Sequence, residues 1–362
     1  MKILFVLNNF FFEKKGGAEL QAYYLAKELI HRGHEVYYLR EYRKKIALEE
    51  SSFEGIKLLK VYSVKGLRRN YSIKNFIRTP FVKRAINEVK PDIIYSRSDD
   101  TYMPIISDLK SKFKYKLIWA CSLDDKTGLN YWVNNYGKRL AGKILKSIRK
   151  ADLVVLQTQF QKDQIKENLN IEGVVQYNAH PVPVGITYQK EDLIVWVGRL
   201  IERKRPEIFL ELAKKLSDTN ISFVMIGGVQ DYNAQKIYKY HQSLKDFTYA
   251  GELENDEVSA LLIRSKALVN TSTSEGFSNT FIEAWKYGTP VISTGVDPDN
   301  LIQNHKLGFK PKNNEKPLIQ FLEEKVLAIC EDEELSKQLY KSCRTFSETQ
   351  LNIKNAAGIF SL

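Results

Sequence analysis

Apolar residues in this 362-residue chain gather into short unbroken runs, separated by stretches with helical spacing. Ile3 to Leu7, Val36 to Leu39, Ile93 to Tyr95, Lys116 to Ala120 and Leu153 to Leu156 read as strands. Between the first two, Ala18 to Arg32 places Leu20, Tyr23, Tyr24, Leu25, Ala26 and Leu29 on a helical face, and Gly33 stands where a C′ residue ends a helix. The alternation then restarts with Leu193 to Val197, Ile221 to Ile226, Leu268 to Thr271 and Val291 to Ser293. Strands alternating with helical patterns predict an α/β architecture with mostly parallel sheets. The proline-bearing H-P-V-P-V-G, His180 to Gly185, separates the two runs and reads as a linker. The expectation is two doubly wound domains, residues 1–183 and 184–362, with the last helix free to pack back on the first. Such a pair places a ligand cleft at the carboxyl ends of its strands. No G-x-G-x-x-G follows the first strand, so the dinucleotide fingerprint is missing.

Composition adds limits. The length exceeds what one hydrophobic core usually organises. No apolar run approaches the roughly 20 residues needed to cross a bilayer. The opening M-K-I-L-F-V-L is interrupted by Asn8 and Asn9 with no small-residue cleavage site, so it reads as a buried strand rather than a signal peptide. Cys121, Cys330 and Cys343 are scattered and odd in number, which suits reduced thiols in a cytoplasmic protein. The net charge of +12 is uneven: up to Pro183 there are 33 Lys and Arg against 19 Asp and Glu, and beyond it 22 against 24. The excess is densest from Lys57 to Arg84, where Lys65, Arg68, Arg69, Lys74, Arg78, Lys83 and Arg84 mix with Tyr71, Phe76, Ile77 and Phe81. That mixture suits an anionic membrane face or a phosphorylated acceptor, and equally nucleic acid or a solvated surface.

The most informative chemistry lies in T-S-T-S-E-G-F-S-N-T-F-I-E-A-W-K-Y-G-T-P-V-I-S-T, Thr271 to Thr294. A polar loop follows a strand and feeds a helix beginning near Asn279, which Gly288 and Pro290 stop. A helix N-terminus presents unpaired N–H groups and a positive dipole end, which suit phosphate. Glu275 and Glu283, eight residues apart, bracket that turn. Ionised carboxylates accept strongly from sugar hydroxyls. An anion cradle between two hydroxyl acceptors reads as a nucleotide-sugar site. The paired glutamates, with G-F after the first, resemble the donor motif of retaining glycosyltransferases of family four, which have the two-domain GT-B fold. The resemblance implies that Glu275 contacts the transferred sugar and Glu283 the ribose. It also puts the backbone of Phe277, Ser278, Asn279 and Thr280 nearest the diphosphate.

Other segments carry further candidates. In L-I-V-W-V-G-R-L-I-E-R-K, Leu193 to Lys204, a strand ends at the small Gly198, Arg199 leaves it, and Lys204 is placed in the following helix with Pro206. Fixed cations there would stabilise a leaving diphosphate more in the transition state than in the ground state. The family's matching pair clamps the donor without a metal. Gly16 and Gly17 occupy the turn before the first helix and let backbone N–H groups approach an anion, as in the family's N-terminal loop. Glu19 is placed to support the helix start. Gly227, with Gly228, ends a strand, and Y-A-G-E-L, through Leu253, resembles the family's base-contacting segment. Many relatives carry a histidine after the Lys116–Ala120 strand. Here W-A-C-S-L-D-D-K has none, leaving Asp124 or Asp125 as the polar group at that cleft edge, while Arg97, Asp99 and Asp100 end the preceding strand and are placed to line the same cavity. His180 reads as a hinge residue.

The resulting expectation is a metal-independent, retaining hexosyltransferase with no cofactor, using a UDP- or GDP-type nucleoside diphosphate sugar. Its acceptor is a glycan or lipid-linked molecule of surface polysaccharide biosynthesis, reached by peripheral contact with an anionic membrane. A nucleic-acid partner leaves the glutamates and Lys204 unexplained. The alternatives are an epimerase or a non-catalytic binding module on the same fold.

Overall fold

A computed structural model describes residues 1–7, 9–11, 16–42, 50–62, 71–97, 100–229, 237, 241–312 and 317–361. The chain forms two compact units, Met1–Asn178 with Ile353–Leu362, and Ala179–Asn352. The division falls after Asn178, ahead of the linker prolines, because Ala179 and His180 already belong to the second unit: His180 N–H donates to the Leu351 carbonyl at 3.0 Å. The returning segment, not a full C-terminal helix, is what joins the first unit.

Unit 1 is built on strands β1 (Lys2–Val6), β2 (Glu35–Tyr42), β3 (Glu50–Phe53), β4 (Ile56–Tyr62), β5 (Ile93–Arg97), β6 (Lys116–Ala120), β7 (Leu153–Leu156) and β8 (Val174–Val175). Their order is β3-β4-β2-β1-β5-β6-β7-β8, parallel except for the antiparallel β3–β4 pair. Both faces of the sheet are covered, which is why β1 reads as an unbroken apolar run. Leu4 and Val6 enter the core shared with helices Tyr71–Val89, Met103–Phe113 and Leu129–Ile148, while Phe5 on the other face meets Phe360 at 5.9 Å. The β3–β4 hairpin was not anticipated. It turns through Glu54 and Gly55, both with positive φ, 47° and 85°, the conformation of a tight two-residue hairpin loop.

Unit 2 carries β9 (Glu191–Val197), β10 (Ser222–Ile226), β11 (Phe247–Gly251), β12 (Ser265–Asn270), β13 (Val291–Ser293) and β14 (Gly308–Phe309), all parallel, in the order β11-β10-β9-β12-β13-β14. Ile194 and Trp196 of the central β9 pack with Phe209, Leu210, Phe321 and Leu322 from helices Pro206–Lys215 and Leu318–Glu331. The two doubly wound α/β units match the expected fold class.

The basic stretch of unit 1 is less bare than its sequence implies. Lys65, Arg68, Arg69 and the Tyr71 side chain lie outside the described residues. Lys57 pairs with Glu35 at 3.1 Å, Lys74 with Glu41 at 3.2 Å and Arg84 with Glu88 at 2.6 Å. Arg78 is fully buried, ion-paired to Glu41, and lies over the Tyr102 ring. Phe81 packs on Tyr62, whereas Phe76 is 82% exposed. Among the described residues no helix is long and apolar enough to cross a membrane.

Candidate active site

The carboxyl ends of β9, β10 and β11 stay linked after the strands end. Gly198 N–H donates to the Ile226 carbonyl at 3.0 Å, Leu200 to Gly228 at 2.9 Å, and Gly227 to Gly251 at 2.7 Å. Gly227 has φ +143°, and a Cβ there would collide with the Gly198 carbonyl. The close approach at these glycines is therefore backbone on backbone. At Gly198 the available room is taken by the Trp196 ring and the Lys204 stem, whose Cδ lies 3.7 Å from where a Cβ would stand. Leu253 follows β11 and is half-buried.

Lys204 lies in a 3₁₀ turn, Glu202–Lys204, ahead of the helix in which it was expected. Arg205, with φ 45°, ends that turn, and Pro206 starts the helix at the position where a missing N–H is harmless. The turn is fastened to the end of β12. Arg205 donates to the Thr271 carbonyl at 2.7 Å and to Thr294 Oγ1 at 2.9 Å, and Thr271 Oγ1 donates to the Lys204 carbonyl. Trp196 Nε1 donates in turn to Thr271 Oγ1 at 2.9 Å. This lattice aims the buried Lys204 ammonium at Glu275, with which it forms a hydrogen-bonded ion pair. Ser272 Oγ donates to the same oxygen, Glu275 Oε1, at 2.8 Å, and Arg203 Nη1 stands 3.9 Å from Oε2.

Lys204 and Glu275, assigned separate tasks from sequence, are thus direct partners. Arg199 is exposed at the end of β9. Sequence reasoning missed Arg203, Arg205 and Ser272. The charge run E-R-K-R at 202–205 was the available signal for the first two.

Helix Asn279–Lys286 follows with Ser278 as its N-cap residue. Ser278 Oγ engages Thr280 Oγ1 at 2.9 Å instead of capping, so the first backbone N–H groups keep their outward role. Phe277 and Ser278 are buried, and Phe281, Ile282, Ala284 and Trp285 anchor the helix in the core. His180 Nε2 lies 3.4 Å from Asn279 Oδ1. Burial and the neighbouring Lys286 hold the His180 imidazole well below its ordinary pKa, so the ring is neutral at physiological pH. Burial likewise pushes the Glu283 carboxyl up, and Lys286 opposes that rise only in part. No described residue hydrogen-bonds to the Glu283 side chain. Lys286, itself buried and three residues on from Glu283, was also missed, though the spacing puts both on one helical face.

In unit 1 the helix Gly17–His31 starts after Gly16, which is extended at φ −130°. The Glu19 carboxylate folds back against Gly16, where a Cβ would strike it, so an acid already faces that helix N-terminus. Gly17 is exposed. Asp124 begins a 3₁₀ turn, Asp124–Thr127, and accepts from Gln161 Nε2 at 2.7 Å. Asp100 does not line a cavity. It is fully buried and takes Trp119 Nε1 at 2.8 Å and Lys126 Nζ at 2.6 Å. Asp99 lies outside the described residues.

Comparison with known proteins adds to this geometry. Residues 184–346 match the family described as Glycosyl transferases group 1, and residues 15–181 match Glycosyltransferase Family 4. The chain is 28% identical over 202 residues to an uncharacterized glycosyltransferase of Methanocaldococcus jannaschii, covering 55% of this chain and 55% of that protein. It is therefore matched to little more than half of that relative's length. It is 25% identical over 320 residues to a human phosphatidylinositol N-acetylglucosaminyltransferase subunit, covering 82% of this chain and 64% of that protein. The solved structure of Anabaena HepE in complex with UDP is similar with a TM-score of 0.71 at 16% identity, over 100% of this chain and 98% of that one. That likeness establishes the GT-B fold.

Proposed function

The chain belongs to the group 1 glycosyltransferases of family four, and from that premise we propose that it moves a hexosyl group from a UDP- or GDP-sugar to a glycan or lipid-linked acceptor, with retention and without a metal. The observation that carries this reading is the Lys204–Glu275 pair beside the N-terminus of helix Asn279–Lys286. As the bond from the sugar C1 to the diphosphate oxygen breaks, negative charge grows on the leaving phosphate. The Lys204 ammonium and the helix N–H groups are preorganised for it. The acceptor oxygen bonds to C1 on the same face, and its proton passes to the departing phosphate. Glu275, its Oε1 held by Lys204 and Ser272, accepts from sugar hydroxyls through Oε2, and Glu283 accepts from the ribose. Glycosyl transfer from a bound UDP complex is consistent with what HepE binds, and a lipid acceptor with the name of the human relative.

The test is thermal stabilisation by a panel of UDP-, GDP- and ADP-sugars, followed by transfer of labelled sugar with and without EDTA. A bound donor raises the melting temperature by mass action, and transfer is expected to persist in EDTA. Activity lost in chelator and restored by magnesium or manganese overturns the metal-free mechanism. Stabilisation by none of the donors overturns the donor reading.

Membrane contact belongs to the same proposal, supported by helix Leu129–Ile148. No acidic residue lies between Asp125 and Asp152, and Lys138, Arg139, Lys143 and Lys146 are exposed with no carboxylate partner among the described residues. Each such cation contributes about 1 kcal/mol at an anionic surface, fading within roughly 8 Å at physiological salt. Reversing these four to glutamate is expected to abolish co-sedimentation with phosphatidylglycerol vesicles. Equal sedimentation of wild type and variant at low salt removes this helix from the contact.

A further inference from the structure

A buried cation in unit 1 has, among the described residues, no counter-ion of the kind that burial normally demands. Arg97 ends β5 and is 5% exposed. Its Nη2 donates to Asn178 Oδ1 at 2.8 Å and its Nη1 to the Tyr95 hydroxyl at 3.3 Å, while Nε has no partner. Gln157 Nε2 shares Asn178 Oδ1 at 3.2 Å, so that oxygen serves two donors. Among the described residues no carboxylate lies within ion-pair reach of the guanidinium. The nearby acid, Asp100, is already occupied by Lys126 and Trp119. Asp100 holds the Lys126 ammonium above its ordinary pKa against the opposing effect of burial. The Cys121 thiol, which feels both cations and Asp100, is pushed up to about 11 by burial and stays neutral. Among the described residues, two buried cations therefore face one buried carboxylate at the carboxyl ends of β5 and β6.

Buried charges in folded proteins are paired, and an unpaired one destabilises the chain that holds it. Arg97 sits where doubly wound sheets take ligands, and its planar fork matches a two-oxygen anion. We propose that Arg97 anchors an oxyanion subsite in unit 1 that receives a phosphate or carboxylate group of the acceptor. This rests on the glycosyltransferase reading above and narrows its acceptor to an anionic one. The subsite lies on the sheet edge that also carries the Asp124 turn, through Lys126. The unpartnered Nε–H, beside the Nη2 that Asn178 holds, is the group offered to the anion, which would supply negative charge that no described residue provides.

The experiment is thermal unfolding of the full chain with the donor site saturated by UDP, titrated with glycerol 3-phosphate, glucuronate, or chloride at matched ionic strength. The wild type is expected to gain several degrees with at least one oxyanion beyond the chloride control. The identity of the effective anion distinguishes a phosphate-bearing from an acid-sugar acceptor. Arg97→Met is expected to lose that gain and, without ligand, to melt no lower than wild type, because it removes an uncompensated charge. Asn178→Asp places a carboxylate on Nη2 and is expected to silence the response while keeping the fold, which provides the test should Arg97→Met not fold. The inference is overturned if neither anion exceeds chloride, or if Asn178→Asp or a folded Arg97→Met responds to the anion like wild type. Absence of any shift with UDP itself is a separate result that strikes the donor reading instead.

Discussion

Lys204→Ala is expected to lower turnover by roughly 10² or more, the scale seen when one preorganised transition-state contact is removed. The ammonium is held by its buried turn, by the Thr271 lattice and by Glu275, so in the proposed mechanism it meets the leaving phosphate without reorganising. Alanine removes the charge and leaves Glu275 with Ser272 and the more distant Arg203. Glu275→Gln is expected to fall by a similar factor, because it loses an acceptor for sugar hydroxyls and loosens Lys204 together. The double variant should lose little more than either single one, since residues acting as a unit are strongly non-additive. Arg199→Ala isolates the exposed cation at the end of β9. The check is initial-rate transfer at saturating donor, with melting temperatures recorded beside it. A near-wild-type rate for Lys204→Ala removes the residue from the chemistry and with it the central observation behind the proposed function.

Glu283→Gln is expected to weaken donor binding by about 1.5–3 kcal/mol, roughly one to two orders of magnitude, the range for a hydrogen bond to a charged group. The same change is expected to stabilise the free protein at neutral pH. Burial raises the Glu283 pKa in the folded state above its ordinary 4.5. The folded chain therefore binds more protons than the unfolded one over the interval between the two values. Stability contributed by the protonated carboxyl is complete below the unfolded pKa and is lost as pH rises through the folded one. Melts from pH 4 to 8 should show a declining limb in the wild type that Glu283→Gln flattens, while donor KM rises. An unchanged KM together with an unchanged limb would show that Glu283 is neither strained nor used. An exchange of stability for binding at one carboxylate is what a functional site imposes on an otherwise consistent fold.

Much of this was legible in the residues themselves. The central strands announced themselves because a parallel strand covered on both faces needs apolar side chains along its covered stretch, as at Ile3–Val6 in β1 and Leu193–Trp196 in β9. The first helix was legible because its buried stripe, including Leu20, Leu25, Ala26 and Leu29, recurs with helical spacing. Glu275, Glu283, Lys204 and the loop before Asn279 were readable as chemistry, since carboxylates, an ammonium and a helix start have intrinsic preferences for hydroxyls and phosphate. The edges were not. β3 and β14 have four and two residues, and β4 and β11 carry half-buried or exposed positions, so none of them shows the continuous apolar run of a strand covered on both faces.

What only the tertiary structure decided is which of these groups meet. Lys204 and Glu275 are 71 residues apart, and nothing local to either one specifies the other. Arg78 and Lys74 read as part of a basic surface until the fold brought them to Glu41. Asp100 read as a cleft residue until Trp119 and Lys126 closed over it. Arg97 meets Asn178 across 81 residues, and that no described carboxylate reaches its guanidinium becomes visible only once the chain has folded. Residue type and spacing determine intrinsic chemistry and local conformation, because those depend on covalent structure and near neighbours. Pairing, burial and the resulting shifts in charge depend on long-range proximity and local dielectric, and these exist only once the chain has folded.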